Sequence, residues 1–260
     1  MGSEKTMRKK RSAWMVVVTV SVLLAFAGVI RAQDAPPASS TWHYELDLFA
    51  WGSGLSGDVG PASKEYQLHA SFADLTEVLD FAAMGHFEVR KEKWGFMADA
   101  FYVNLGHSVD NRLGLPVKLN LEETILGMAG SYRLYQGPRA LFDLTFGARY
   151  NEVKTGITPT LMPPMDHSIS WTDPVIGVKG GVKMSKAWTF GYRADVGGFG
   201  AGSRLTWLGV LQFGAQLSQH TSLNFGYISY GVDYEKGSGA RQFVYDMTTS
   251  GPFLGVSFKW

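Results

Sequence analysis

The sequence predicts an all-β chain, a transmembrane antiparallel up-and-down β-barrel of about ten strands, and three observations carry that expectation. The segment Phe253-Leu254-Gly255-Val256-Ser257-Phe258-Lys259-Trp260 alternates large apolar side chains with small or polar ones to its last residue. Side chains on a strand point to opposite faces with period two, so such a strand offers one face to lipid and one to a polar interior. Second, mean hydropathy is only −0.04 and no run of about 20 apolar residues follows Ile30, which excludes a bundle of membrane helices. A barrel escapes that requirement because only every second residue meets lipid. Third, the tryptophans after residue 40 fall at the ends of the predicted strands, where indole rings sit at the headgroup level.

The N-terminal 32 residues read as a signal peptide. Lys5, Arg8, Lys9, Lys10 and Arg11 form a basic stretch, Trp14 to Ile30 is apolar, and Ile30-Arg31-Ala32 ends in a small residue. A retained anchor is the alternative, although 17 apolar residues are at the short limit for a span. Residues 33–40 then form a disordered leader rich in Ala, Pro and Ser, and residues 41–260 are expected to be the barrel. With 24 basic and 23 acidic residues the net charge is +1, which argues against a nucleic-acid partner. No Cys is present, so there is neither a disulfide framework nor a lipoprotein thiol. The 31 glycines suit a curved, strand-rich wall, and a secreted β-sandwich would share them.

In order, the expected strands are Thr41 to Trp51, Ala82 to Arg90, Gly95 to Ser108, Val117 to Tyr135, Ala140 to Val153, Ser170 to Met184, Trp188 to Phe199, Arg204 to Ser218, Thr221 to Tyr234 and Pro252 to Trp260. Eight or twelve strands would also satisfy the even parity of a barrel, and the poorly patterned stretch from Gly57 to Ser71 is where the count is least fixed. The connections at 91–94, 136–139, 185–187 and 219–220 are tight, whereas those near 52–81, 109–116, 154–169 and 235–251 are long; the turn at 200–203 breaks this alternation. Membrane barrels of bacteria carry short turns on the periplasmic side, so both termini are expected there.

Trp42, Trp94, Trp188 and Trp260 then mark one interface, and Trp51, Trp171 and Trp207 the other, as an aromatic girdle. The same alternation directs Glu45, Asp47, Glu88, Arg90, Asp99, Glu123, Arg133, Asp143, Arg149, Lys179, Lys183, Arg193, Asp195 and Lys259 inward. These are seven acids and seven bases. An interior of about ten strands is just wide enough for side chains to fill, so a balanced set predicts a plugged lumen held by ion pairs. A narrow polar channel is the other reading of the same charges.

One segment has helical rather than strand periodicity. Ser71 stands three residues before Asp74 as in a capping box, and Phe72, Leu75, Val78 and Leu79 fall on one stripe, which predicts a short amphipathic helix over 71–80. It could enter the lumen against the arginines, lie across the outer mouth, or be an ordered loop without function.

The alternation, the tryptophan positions and the closing Phe258-Lys259-Trp260 resemble the small bacterial outer-membrane barrel superfamily, the eight- to ten-stranded group that includes OmpA-like and opacity-type proteins. Leu79 to Arg90 followed by Trp94-Gly95 looks like a helix-to-strand segment of uncharacterised members. The resemblance implies an outer-membrane location, lipid and lipopolysaccharide as surroundings, and a terminal signal at Phe258 and Trp260 read by the barrel-assembly machinery. Phe is the commoner last residue of that signal, and Trp260 departs from it. It implies no enzymatic activity and no cofactor.

Catalysis at the rim would need a Ser and a His within reach of each other. His107-Ser108 and Asp166-His167-Ser168 are the candidates, but neighbours in a strand point to opposite faces, so neither is a triad by spacing. The six histidines show no close i, i+2 or i+4 pairing that would predict a metal site. The expected function is therefore a structural or surface-interaction barrel, with a small pore or transporter as the alternative and a rim hydrolase of lipid A or peptides third.

Overall fold

The computed structural model describes residues 41–61, 66–110, 116–159, 163, 165–238 and 242–260, so the expected signal peptide and leader lie outside the described residues. The chain forms β1 (His43–Trp51), β2 (Gly54–Pro61), β3 (Tyr66–Ala70), a helix α1 (Phe72–Glu77), β4 (Leu79–Lys91), β5 (Trp94–Asp110), β6 (Pro116–Gln136), β7 (Ala140–Pro159), β8 (Met165–Lys183), β9 (Trp188–Gly198), β10 (Leu205–Gln216), β11 (Thr221–Lys236) and β12 (Phe243–Lys259). Strands β1 and β4 to β12 pair antiparallel in chain order, and β1 closes on β12 to make a ten-stranded barrel. Where β1 bridges β12 and β4 the ring has no edge, which hydrocarbon demands because it cannot hydrogen-bond a free N–H or C=O.

The two additional strands arise from one interruption. β1 pairs Trp51 with Phe253 and β2 pairs Gly54 with Ser250, so β2 continues β1 along β12 in unbroken register. The break at Gly52-Ser53 lies opposite Gly251-Pro252, where Pro252 has no N–H to give and only its carbonyl is used, by Gly52 N at 2.8 Å. A Cβ on Gly251 would lie 2.1 Å from the Gly52 carbonyl oxygen, so the close approach needs glycine there. The chain then folds back as β3, and the stretch from Gly57 to Ser71 thus holds a hairpin outside the ring of ten.

Helix α1 is shorter than expected. Ser71 Oγ accepts from Asp74 N at 3.3 Å while Ser71 N donates to Asp74 Oδ2 at 2.8 Å, a complete capping box. Those bonds to Ser71 hold the Asp74 carboxyl below the usual carboxylate range. The helix ends at Glu77 because Leu79 and Asp80 already belong to β4. None of its residues is buried and its neighbours are β2 and β3, so it does not enter the lumen.

Two more of the expected long loops are mostly strand. β7 and β8 run on to Pro159 and back from Met165, and β12 begins at Phe243, so residues 154–159, 165–169 and 243–251 are paired. There one face is polar, with Lys154 to Glu152 at 3.2 Å and Ser168 Oγ donating to Glu152 at 3.2 Å, while Val153 and Ile169 on the other face pack toward the interior. An outward face that meets water instead of lipid loses the apolar residues that mark a membrane strand.

Elsewhere the two faces are distinct. Leu48, Phe96, Leu126, Met128, Phe146, Ile176, Leu211, Phe225 and Leu254 are exposed and form an apolar outer belt. Their sequence neighbours Met97, Gly127, Ala129, Thr145, Val175 and Phe253 are buried.

Candidate functional site: the barrel interior

The interior is crossed by ion pairs between strands that are not neighbours in the wall. Asp143 on β7 is fully buried and accepts from Arg90 Nη2 on β4 at 2.5 Å and from the Arg133 guanidinium on β6. Arg90 also donates to Glu88 at 2.9 Å and to Ser131 Oγ at 2.9 Å. Glu88 in turn meets Lys179 of β8, four strands away. On β5, Asp99 accepts both contacts of Arg193 Nη1 from β9, at 2.9 and 3.0 Å, and His86 Nδ1 lies 2.6 Å from it. Arg149 pairs with Asp195 at 2.6 Å and stacks its guanidinium over the Tyr230 ring, 5.2 Å from the centroid. Lys259 and Glu45 pair at 3.1 Å nearer the short turns.

Of the inward set expected from the alternation, Asp47, Glu123 and Lys183 make no ion pair among the described residues. Asp47 Oδ1 is buried without a hydrogen-bond partner. Glu123 accepts from Tyr245 Oη at 3.2 Å, and Lys183 is exposed at the end of β8. Two members of the interior were not anticipated, although the alternation reaches both. His86 shares the face of Glu88 and Arg90, and Asp173 that of Lys179. Asp173 is fully buried, accepting from Trp171 Nε1 at 3.1 Å and from Ser203 N at 2.6 Å.

The expected girdle requires a correction at Trp51 and Trp171. Trp51 is 8 % exposed, packs edge-on to Phe101 of β5 and donates Nε1 to the Gly251 carbonyl at 3.2 Å. Trp171 is 7 % exposed and stacks on Tyr234 of β11 with ring centroids 4.2 Å apart. Both therefore point inward and help form an apolar layer with Ile228, Tyr230, Val232, Tyr245, Met247 and Phe253. Parity explains it: Trp51 shares the face of Glu45 and Asp47, and Trp171 that of Asp173 and Lys179. Trp42, Trp94, Trp188 and Trp260 are exposed at the short-turn end, and Trp207 is half-buried.

Charges and apolar layer leave between them a cavity of about 900 Å³. It reaches the short-turn end beside Arg139, His220 and Trp260, and its depth is lined by Trp51, Phe101, Ile125, Ile228 and Phe253. Among the described residues no group of three His, Cys, Asp or Glu could hold a metal ion. Asp166, His167 and Ser168 lie on the strand extension, with Ser168 bonded to Glu152 and His167 opposite Thr155 in register.

No family model and no curated protein matches the chain. Solved structures do. The outer-membrane protease OmpT from Escherichia coli is 8 % identical, with 88 % of this chain and 100 % of that chain covered at a TM-score of 0.57. The attachment invasion locus protein Ail of Yersinia pestis is 10 % identical over 85 % of this chain and 100 % of that one at 0.34. The P. putida toluene transporter TodX is 8 % identical over 88 % and 90 % at 0.33. Likeness of this order speaks of fold alone, and only the first carries that weight. By fold, the chain shares with that protease a closed antiparallel ten-stranded β-barrel, here with an apolar outer belt.

Proposed function

We propose that this barrel does not conduct and serves a structural or surface-interaction role, with its short turns and both termini in the periplasm. The observation that carries the reading is the pairing of charges across the lumen, Glu88 with Lys179 and Asp99 with Arg193, capped by the aromatic layer around Trp51 and Trp171. An ion crossing the barrel would have to part desolvated pairs that are costly to leave half-made. Short turns face the periplasm in bacterial barrels, which supports the orientation. On it, Trp42, Trp94, Trp188 and Trp260 form the periplasmic girdle, while Phe258 and Trp260 present the terminal aromatics to the assembly machinery. The β2–β3 hairpin and α1 would face outward among lipopolysaccharide, with Phe72 half-exposed as an anchor for a partner.

Planar-bilayer recording of the purified barrel tests this. The expected trace is flat. Reproducible single-channel steps from the unaltered protein would replace the proposal with a small pore.

A further inference from the structure

The luminal cavity has two unlike walls. On β4, β8 and β9 it is lined by the paired charges, while Leu208, Val210, Ile228 and Phe253 on β10 to β12 line it with hydrocarbon. We propose that it is a binding site for an amphipathic anion, a carboxylate or phosphate head on an apolar body, entered from the short-turn end.

The head is assigned by charge accounting at the mouth. Among the bases that line the cavity, Arg90, Arg133, Arg149, Lys179, Arg193 and Lys259 are each matched by a carboxylate. Arg139 and Lys183 are not, as neither forms an ion pair among the described residues. The two sit together because Lys183 N donates to the Arg139 carbonyl at 2.6 Å. A guanidinium beside an ammonium suits an oxyanion, the first through its planar fork and the second as a point charge. Asp47 is the one lining side-chain carboxylate without an ion pair, and it lies on β1, five places round the ring from β8. The body is assigned by the opposite wall. A volume of about 900 Å³ is that of a ligand pocket, and an apolar wall with a few convergent polar groups is how such pockets are lined. The aromatic layer closes its depth, so the site is blind and a ligand resides in it without needing to pass through. Occupancy is separate from conduction: a flat bilayer trace is compatible with a filled or an empty site.

The experiment uses the full chain in lipid nanodiscs, titrated with 11-(dansylamino)undecanoic acid and, separately, with its methyl ester, against empty nanodiscs. A saturable fluorescence rise is expected for the acid beyond that of empty discs, with affinity at least about tenfold weaker for the Arg139→Gln/Lys183→Gln variant. The ester should bind equally to both forms. Retained anomalous gel mobility before heating shows that the variant is folded, and Val210→Gln, on the apolar wall, should weaken acid and ester alike. Displacement by dodecanoate or by lysophosphatidic acid distinguishes a free fatty-acid type ligand from a lipid phosphate, and either supports the site. No saturable signal above empty discs, or an acid affinity unchanged by the double substitution, overturns it.

Discussion

Arg193 on β9 and Asp99 on β5 meet at 2.9 Å across the inside of the barrel, although four places in the strand order separate them. A contact of that kind fixes two opposite walls at once, and His86 at 2.6 Å from the same carboxylate adds the wall of β4. The interior is therefore a tie between distant strands, which neighbouring ladders cannot provide.

Asp143 is the most exposed to disruption of these ties, because its fully buried carboxylate answers both Arg90 and Arg133. Asp143→Asn should cost about 3–5 kcal/mol, since the desolvated Arg133 guanidinium loses its one carboxylate and Arg90 keeps only Glu88. Equilibrium unfolding from lipid vesicles in urea measures it. Replacing Lys183, which has no such partner, should change stability by no more than about 0.5 kcal/mol in the same assay.

The tryptophans separate into two populations that light can tell apart. In single-Trp variants reconstituted with brominated lipids, Trp42, Trp94, Trp188 and Trp260 should be quenched, since each is at least 44 % exposed. Trp51 and Trp171 should resist quenching and emit further to the blue, because they lie in the inner aromatic layer. Strong lipid quenching at either would return it to the outer girdle.

How much of this was legible in the sequence depends on where water and lipid differ across the wall. In the middle of β7, Asp143, Thr145 and Arg149 alternate with Phe146, because one face meets hydrocarbon and the other the interior, and strand and faces could be read directly. In the extensions around Glu152 and Ser168 the outward face is polar while Val153 and Ile169 still point inward, so the lipid-facing signal vanished while the pairing continued. The β2–β3 hairpin was hidden for a similar reason, as Gly57, Gly60 and Asp58 break any alternation and the strand is specified by its register against β12. Trp51 and Trp171 depart from the interface preference of indole because the parity of their own strands turns them inward. The pairing of Glu88 with Lys179 or Arg193 with Asp99 could not be read at all, since it depends on the circumference and tilt of the closed wall.

The seam between β1 and β4 should be the softest part of the wall. Its ladder ends at Leu48 with Gly85, whereas β4 continues to pair with β5 as far as Leu79. Amides of Ala82 to Met84 that point toward β1 should exchange with deuterium at least about tenfold faster than those of Phe87 to Arg90, because no ladder bond protects them. Equal protection would mean that the seam closes in the membrane.

The inside-outside assignment as a whole is tested most directly by placing one charge on either side of the same patch of wall. Leu211 on β10 is 54 % exposed on the apolar belt, and its neighbour Gln212 pairs with Gly191 of β9, which lines the cavity. Gly191 is the suitable inner position because a Cβ there has no atom nearer than 3.8 Å, whereas a Cβ at Gly147 would lie 2.0 Å from the Met128 carbonyl oxygen. Folding free energies of Leu211→Arg and Gly191→Arg should be measured in vesicles of increasing hydrocarbon thickness. The expected result is a cost of about 2–4 kcal/mol for Leu211→Arg that varies with thickness, and for Gly191→Arg a smaller cost that does not. Equal costs, or a barrel stable and monomeric without detergent or lipid, would contradict the assignment and favour a water-soluble barrel.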